Sequence, residues 1–132
     1  MSTDPNPLTK PTVLVAEDEV MLRVVAAEVL SDAGYRVLEA GDGDVALRVL
    51  RENANIDLLI TDIKMPGLTG YQLAEAGMAL RPRLKVLLMT GYTQEPVPAK
   101  MAASGVKVLY KPFDIDQLPL LAREILKKPD IR

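Results

Sequence analysis

Four places in the 132-residue chain set polar groups where apolar runs stop. Glu17 and Asp18 follow TVLVA, Asp62 follows LLIT, Thr90 follows VLLM, and Lys111 follows VKVLY. If those runs are strands ending at one edge, three carboxylates, a hydroxyl and an ammonium share a pocket. Crowded carboxylates repel, so they must hold protons or gather round a cation. Lys111 supplies one positive charge, and an all-oxygen donor set suits Mg²⁺, which keeps several of its own waters. Asp62 is then a candidate nucleophile, because a carboxylate can attack phosphorus and form an acyl phosphate. Lys111 and the cation would neutralise charge on the equatorial oxygens, and the Thr90 hydroxyl could donate to one of them.

Taken singly, each residue has a plainer explanation. Asp18 or Glu19 could cap a helix, Asp62 could serve the turn before Met65-Pro66-Gly67, Thr90 could be an ordinary strand residue, and Lys111 a solvated lysine. Jointly these explanations fare worse, since independent strand ends would have to place polar groups at the same rim.

Five short apolar runs are available to carry the site: Thr12–Ala16, Tyr35–Leu38, Leu58–Thr61, Val86–Met89 and Val106–Tyr110. Most are nearly continuous, as expected of strands covered on both faces. Helical spacing fills the gaps. Leu22, Val25, Ala26, Val29, Leu30 and Ala33 form one stripe stopped by Gly34. Asp42 or Asp44 can cap a second helix burying Ala46, Val49 and Leu50. A third places Leu73, Ala76, Gly77 and Leu80 on one stripe before Pro82. A short fourth is confined by proline to about 98–104, and a fifth, N-capped by Asp116, buries Leu118, Leu121, Ala122, Ile125 and Leu126. Strict alternation of strand and helix predicts an α/β, three-layer, doubly wound parallel sheet, whose ligands bind beyond the carboxyl ends of the strands.

Composition narrows the chemistry. The chain has no cysteine and no histidine, which excludes disulfides, thiolate nucleophiles, zinc sites of the usual kind and serine–histidine triads. A net charge of −2 gives no basic stripe for nucleic acid. No apolar run is long enough to span a bilayer, and MSTDPNPLTK lacks the apolar core of a secretory signal, so a cytoplasmic protein is expected.

Together, LVAED, LLITDIKMPG, VLLMTGY and LYKPF resemble the receiver domain of bacterial two-component response regulators. The resemblance covers residues 11–128, leaving a flexible tail at 1–10 and a short one at 129–132. It implies a flavodoxin-like five-stranded sheet of order 2-1-3-4-5. It implies that Asp62 accepts a phosphoryl group from a histidine kinase or histidine phosphotransfer protein, with Mg²⁺ (or Mn²⁺) as cofactor. Asp18, Asp62 and the backbone carbonyl of Lys64 would be metal ligands, with Glu17 acting through water. Thr90 and Lys111 would bind the phosphoryl group, small Gly91 would leave the donor a path, and the Lys111-Pro112 peptide would be cis.

One departure stands out. Val108 occupies a position where the family often carries a switching aromatic. Tyr110, Tyr92 or the Gly91–Pro98 loop is the expected substitute, and Lys64 and Tyr92 are expected to shield the acyl phosphate from water. Gly70 is expected to serve the turn into the third helix. The chain is thus read as a stand-alone phosphorylatable switch, not a dedicated enzyme, which signals to a protein partner. The alternative is a receiver-like docking module that is never phosphorylated; it should have lost at least one of Asp18, Asp62, Thr90 and Lys111.

Overall fold

The computed structural model describes residues 10–91, 97–103 and 106–127. Five strands alternate with five helices: β1 (Thr12–Ala16), α1 (Val20–Asp32), β2 (Arg36–Ala40), α2 (Gly43–Glu52), β3 (Ile56–Asp62), α3 (Gly70–Leu80), β4 (Lys85–Thr90), α4 (Ala99–Ala103), β5 (Lys107–Tyr110) and α5 (Gln117–Lys127). The strands form one parallel sheet in the order β2-β1-β3-β4-β5. The expected tails fall almost wholly outside the described residues, as do Tyr92 and most of the 91–98 loop.

Burial follows position in the sheet. β1 is buried throughout, and β3 and β4 almost throughout, whereas the outer strands β2 and β5 are largely half-exposed. Strand alternation splits the core in two. On one face Leu14, Ala16, Leu59 and Leu88 pack with Ala46 and Leu50 of α2, Leu73 and Ala74 of α3, and Met101 of α4. On the other, Val13, Val15, Ile60 and Leu87 meet Ala26 and Leu30 of α1 and Leu118, Ala122 and Ile125 of α5. Helices on both faces explain the continuous apolar runs. The stripe expected in α3 is corrected at two places: Ala74 is buried where Ala76 is only half-buried, and Leu80 is 37% exposed.

Local chemistry fixes the helix ends. Gly34, at φ +103°, closes α1 with its N–H donating to the Ser31 carbonyl, while Tyr35 N–H donates to the Leu30 carbonyl. That left-handed turn is one that glycine adopts without a Cβ penalty. The Asp42 carboxylate caps α2 by accepting from Val45 N–H at 2.8 Å. Thr69 and Gln72 form a reciprocal capping box at α3. α5 begins at Gln117, directly after Asp116, so Pro119 lies in the first turn, where its missing N–H costs nothing.

Strand order reverses at β1, which has β2 on one side and β3 on the other. The crevice for a ligand therefore opens between the carboxyl ends of β1 and β3.

Candidate functional site

Parallel register delivers the polar residues to that crevice. Ala16 pairs with Thr61, Asp62 with Met89, and Thr90 with Tyr110, so Glu17, Asp62, Thr90 and Lys111 stand at successive strand ends. Backbone hydrogen bonds extend the edge past the strands. Glu17 N–H donates to the Ala40 carbonyl at 3.0 Å, Ile63 N–H to Met89 at 3.2 Å, and Lys111 N–H to Thr90 at 2.7 Å.

The side chains then converge. Lys111 Nζ lies 3.0 Å from Asp62 Oδ2 and 3.4 Å from Glu17 Oε1. Asp62 Oδ1 accepts from Ile63 N–H at 2.7 Å and, more weakly, from Lys64 N–H at 3.4 Å. Glu17 Oε2 accepts from Glu19 N–H at 2.9 Å. Carboxylate oxygens of Glu17, Asp18 and Asp62 all lie within 4.8 Å of one another. Glu17 and Asp62 are buried and Asp18 is exposed, so the cluster opens to solvent on the Asp18 side.

Charge in this pocket is poorly balanced. Burial pushes the Glu17 carboxyl up from 4.5 to about 7; the Glu19 N–H opposes the shift, the Asp62 charge adds to it, and Lys111 opposes it. Burial pulls the Lys111 ammonium down, but its hydrogen bond to Asp62 and the charges of Asp62 and Glu17 outweigh that, and its pKa is raised. One ammonium serves several acids. A divalent cation would complete the balance, and the donor set is all oxygen, as a hard cation requires.

Residues 13–123 match the family model for the response regulator receiver domain. The chain is a member of that family. It is 36% identical over 107 residues to the response regulator receiver protein CpdR of Brucella abortus, covering 80% of this chain and 88% of CpdR. It is 31% identical over 121 residues to the sensor kinase CckA of the same organism, covering 90% of this chain. It spans only 13% of CckA, and 57% of other curated relatives. Among solved structures, the response regulator receiver protein of Sinorhizobium medicae superposes with a TM-score of 0.78 at 29% identity, over 90% of this chain and 96% of that one. Receivers belong to two-component signalling and are phosphoacceptor switches more than dedicated enzymes. As a family they bind Mg²⁺ at an acidic pocket.

The structure brings Glu17, Asp18, Asp62 and Lys111 of this receiver together, with Thr90 at the same edge. The Thr90 hydroxyl is buried and donates to the Gly91 carbonyl at 3.1 Å. Among the described residues, nothing lies within 4 Å of where a Gly91 side chain would start. Lys64 follows Asp62 by two residues with its side chain exposed. The Lys111-Pro112 peptide is cis. Val108 packs against the core on the α2–α3 face, and Tyr110 is 62% exposed. Tyr92 lies outside the described residues.

The sequence underread one contributor and missed another. A Cβ on Gly70 would run into the Asp62 carbonyl oxygen and Ile63 Cα, while Gly70 N–H donates to the Ile63 carbonyl at 2.8 Å. α3 thus starts directly on the Asp62–Ile63 backbone, a closer role than serving a turn. Arg23 is the other: its Nη1 donates to the Glu17 carbonyl at 2.9 Å. Arg23 is the only cation in the α1 sequence VMLRVVAAEVLSD, but nothing in its spacing points to Glu17.

Proposed function

We propose that this receiver takes a phosphoryl group on Asp62 in a Mg²⁺-dependent reaction and passes the change to a protein partner. The observation that carries this reading is the Asp62 carboxylate held between a main-chain N–H and an ammonium, beside two further acids. Asp18, Asp62 and the Lys64 carbonyl would hold the metal, with Glu17 reached through water. When bound, the cation offsets negative charge on the incoming phosphoryl oxygens.

The chain's own residues perform the rest. One Asp62 oxygen attacks the phosphorus of a phosphohistidine on a kinase or phosphotransfer protein. A new O–P bond forms as the P–N bond breaks, and the imidazole leaves with the electron pair. Lys111, already against Asp62 and Glu17, follows the charge onto the phosphoryl oxygens. Thr90 exchanges its Gly91 carbonyl partner for one of those oxygens. Either transition draws on the half-exposed β5 edge and the segment after Gly91, where two pre-existing arrangements can be rebalanced. Tyr110 or Tyr92 stands in for the aromatic that Val108 lacks; if Val108→Tyr and Tyr92→Ala both left partner binding unchanged, that assignment would fail.

A protein donor needs a landing surface. Val20, Met21 and Val24 are 57%, 73% and 46% exposed on the first turns of α1, next to Asp18. Such an apolar patch beside a reactive group suits transient protein contact. No helix of the described residues is long and apolar enough to cross a membrane; the proposed donor places the reaction in the cytoplasm. The test is incubation with acetyl phosphate, with and without Mg²⁺, read by intact mass. One added phosphoryl group is expected in the wild type with Mg²⁺ and none in Asp62→Asn; equal labelling of the two would overturn the assignment.

A further inference from the structure

Arg23 has no carboxylate of the acidic cluster as a partner, yet it touches the backbone of the acidic loop. Its Nη1 donates to the carbonyl of Glu17 at 2.9 Å, and its Nε faces Glu39 Oε1, near the end of β2, at 3.4 Å. A Cβ on Gly41 would lie 3.2 Å from that same Nη1, so the guanidinium passes close over the bare backbone of that glycine. The Arg23 side chain is 20% exposed and that of Glu39 44%, which makes the ion pair weak as a source of stability. Its geometric effect is larger.

The carbonyl that Arg23 holds is half of the Glu17–Asp18 peptide, the unit that carries the Asp18 side chain into the cluster. Among the described residues, no side chain or N–H donates to the Asp18 carboxylate, in contrast to Glu17 and Asp62. The aim of Asp18 is therefore set by its backbone. That backbone is tied to the end of β2 twice, through Glu17 N–H on the Ala40 carbonyl and through Arg23 on Glu39. A planar guanidinium can serve two acceptors at fixed angles; an ammonium on a flexible stem cannot do the same.

We propose that Arg23, oriented by Glu39, is a positioning residue that locks the Glu17–Asp18 peptide so that Asp18 is pre-aimed at a divalent cation. This rests on the reading that the acidic cluster binds Mg²⁺. Partners that orient metal ligands from behind are worth about 10- to 100-fold in metal affinity.

Mg²⁺ titration of the full chain by calorimetry decides it, using wild type, Arg23→Lys, Arg23→Gln, Glu39→Gln and, as a control, Asp18→Asn. Binding is expected to weaken about tenfold in both Arg23 variants and by a smaller factor in Glu39→Gln. Metal-free amide spectra should show the Asp18 N–H resonance displaced in the same variants, a readout that a merely stabilising role would not move. If Arg23→Gln does not fold, Arg23→Lys carries the test, because it keeps the charge and loses the fork. Wild-type affinity in Arg23→Lys, with clear Mg²⁺ binding by the wild type, would overturn the brace and leave the metal site standing. No Mg²⁺ binding by the wild type would overturn both.

Discussion

Replacing Glu17 with glutamine separates what the site costs from what it does. In the metal-free fold this carboxyl is raised from 4.5 to about 7, chiefly by burial, and its side chain is 1% exposed. Below pH 4.5 it is protonated in folded and unfolded chains alike, and its contribution to stability is at its fullest. As pH rises from 4.5 through 7 the unfolded chain releases the proton first, so stability is lost across that window. Each pKa unit is worth about 1.4 kcal/mol, which makes the full loss about 3 kcal/mol. A neutral amide at this position would mimic the protonated acid and suffer no such loss. Urea unfolding in EDTA should therefore show the Glu17→Gln variant gaining on the wild type as pH is raised from 4.5 to 8. The gap should approach about 3 kcal/mol, on the order of 10 °C in Tm for a chain of this size. Adding Mg²⁺ at pH 8 should narrow or reverse the gap, because the cation stabilises the ionised cluster by mass action. Parallel stability curves for the two proteins across that pH range would refute the idea that Glu17 is held against its charge.

Gly70→Ala should lower stability by about 1–3 kcal/mol, the usual range for overpacking. It should also slow phosphorylation, since the new methyl group displaces the acceptor backbone; unfolding and acetyl phosphate labelling together check it. Lys111→Ala should cut the rate of phosphoryl uptake by about a hundredfold, as loss of one preorganised charge-stabilising donor does elsewhere, measured with acetyl phosphate at saturating Mg²⁺. Met21→Glu should impair transfer from a protein donor while leaving labelling by acetyl phosphate intact, because only the former needs the apolar start of α1. Lys64→Ala should shorten the lifetime of the phosphorylated protein severalfold if the exposed lysine shields it; equal decay rates would count against shielding.

Legibility in the sequence tracked burial. β1 is recoverable to the residue because helices cover it on both faces, and the apolar runs of β3 and β4 mark their cores. β2 is harder: Arg36 and Glu39 face solvent on an outer strand, and the apolar run Tyr35–Leu38 stops short of Ala40. The third helix misled at Leu80 because periodicity marks a face of a helix but not how far along it the packing runs. Polar residues at strand ends were readable as a group, since parallel topology forces them to one edge. The contacts of Arg23 with the Glu17 carbonyl and of Gly70 with Asp62 were not, because each is made to a backbone atom across a loop, which leaves no periodic mark. Tyr110 shows a further limit: alternation places it on the Val108 face, but not how far an outer strand lets its ring stand in solvent.

The ammonium that serves Asp62 comes 49 residues later in the chain, and 94 after Glu17. On a ribosome, the three acids emerge well before the last strand that supplies their counter-charge. A polypeptide that stops short of β5 has the three acids but lacks the ammonium that serves Asp62 and Glu17. Under the proposed function, full reactivity toward a phosphoryl donor would therefore wait for the closing strand.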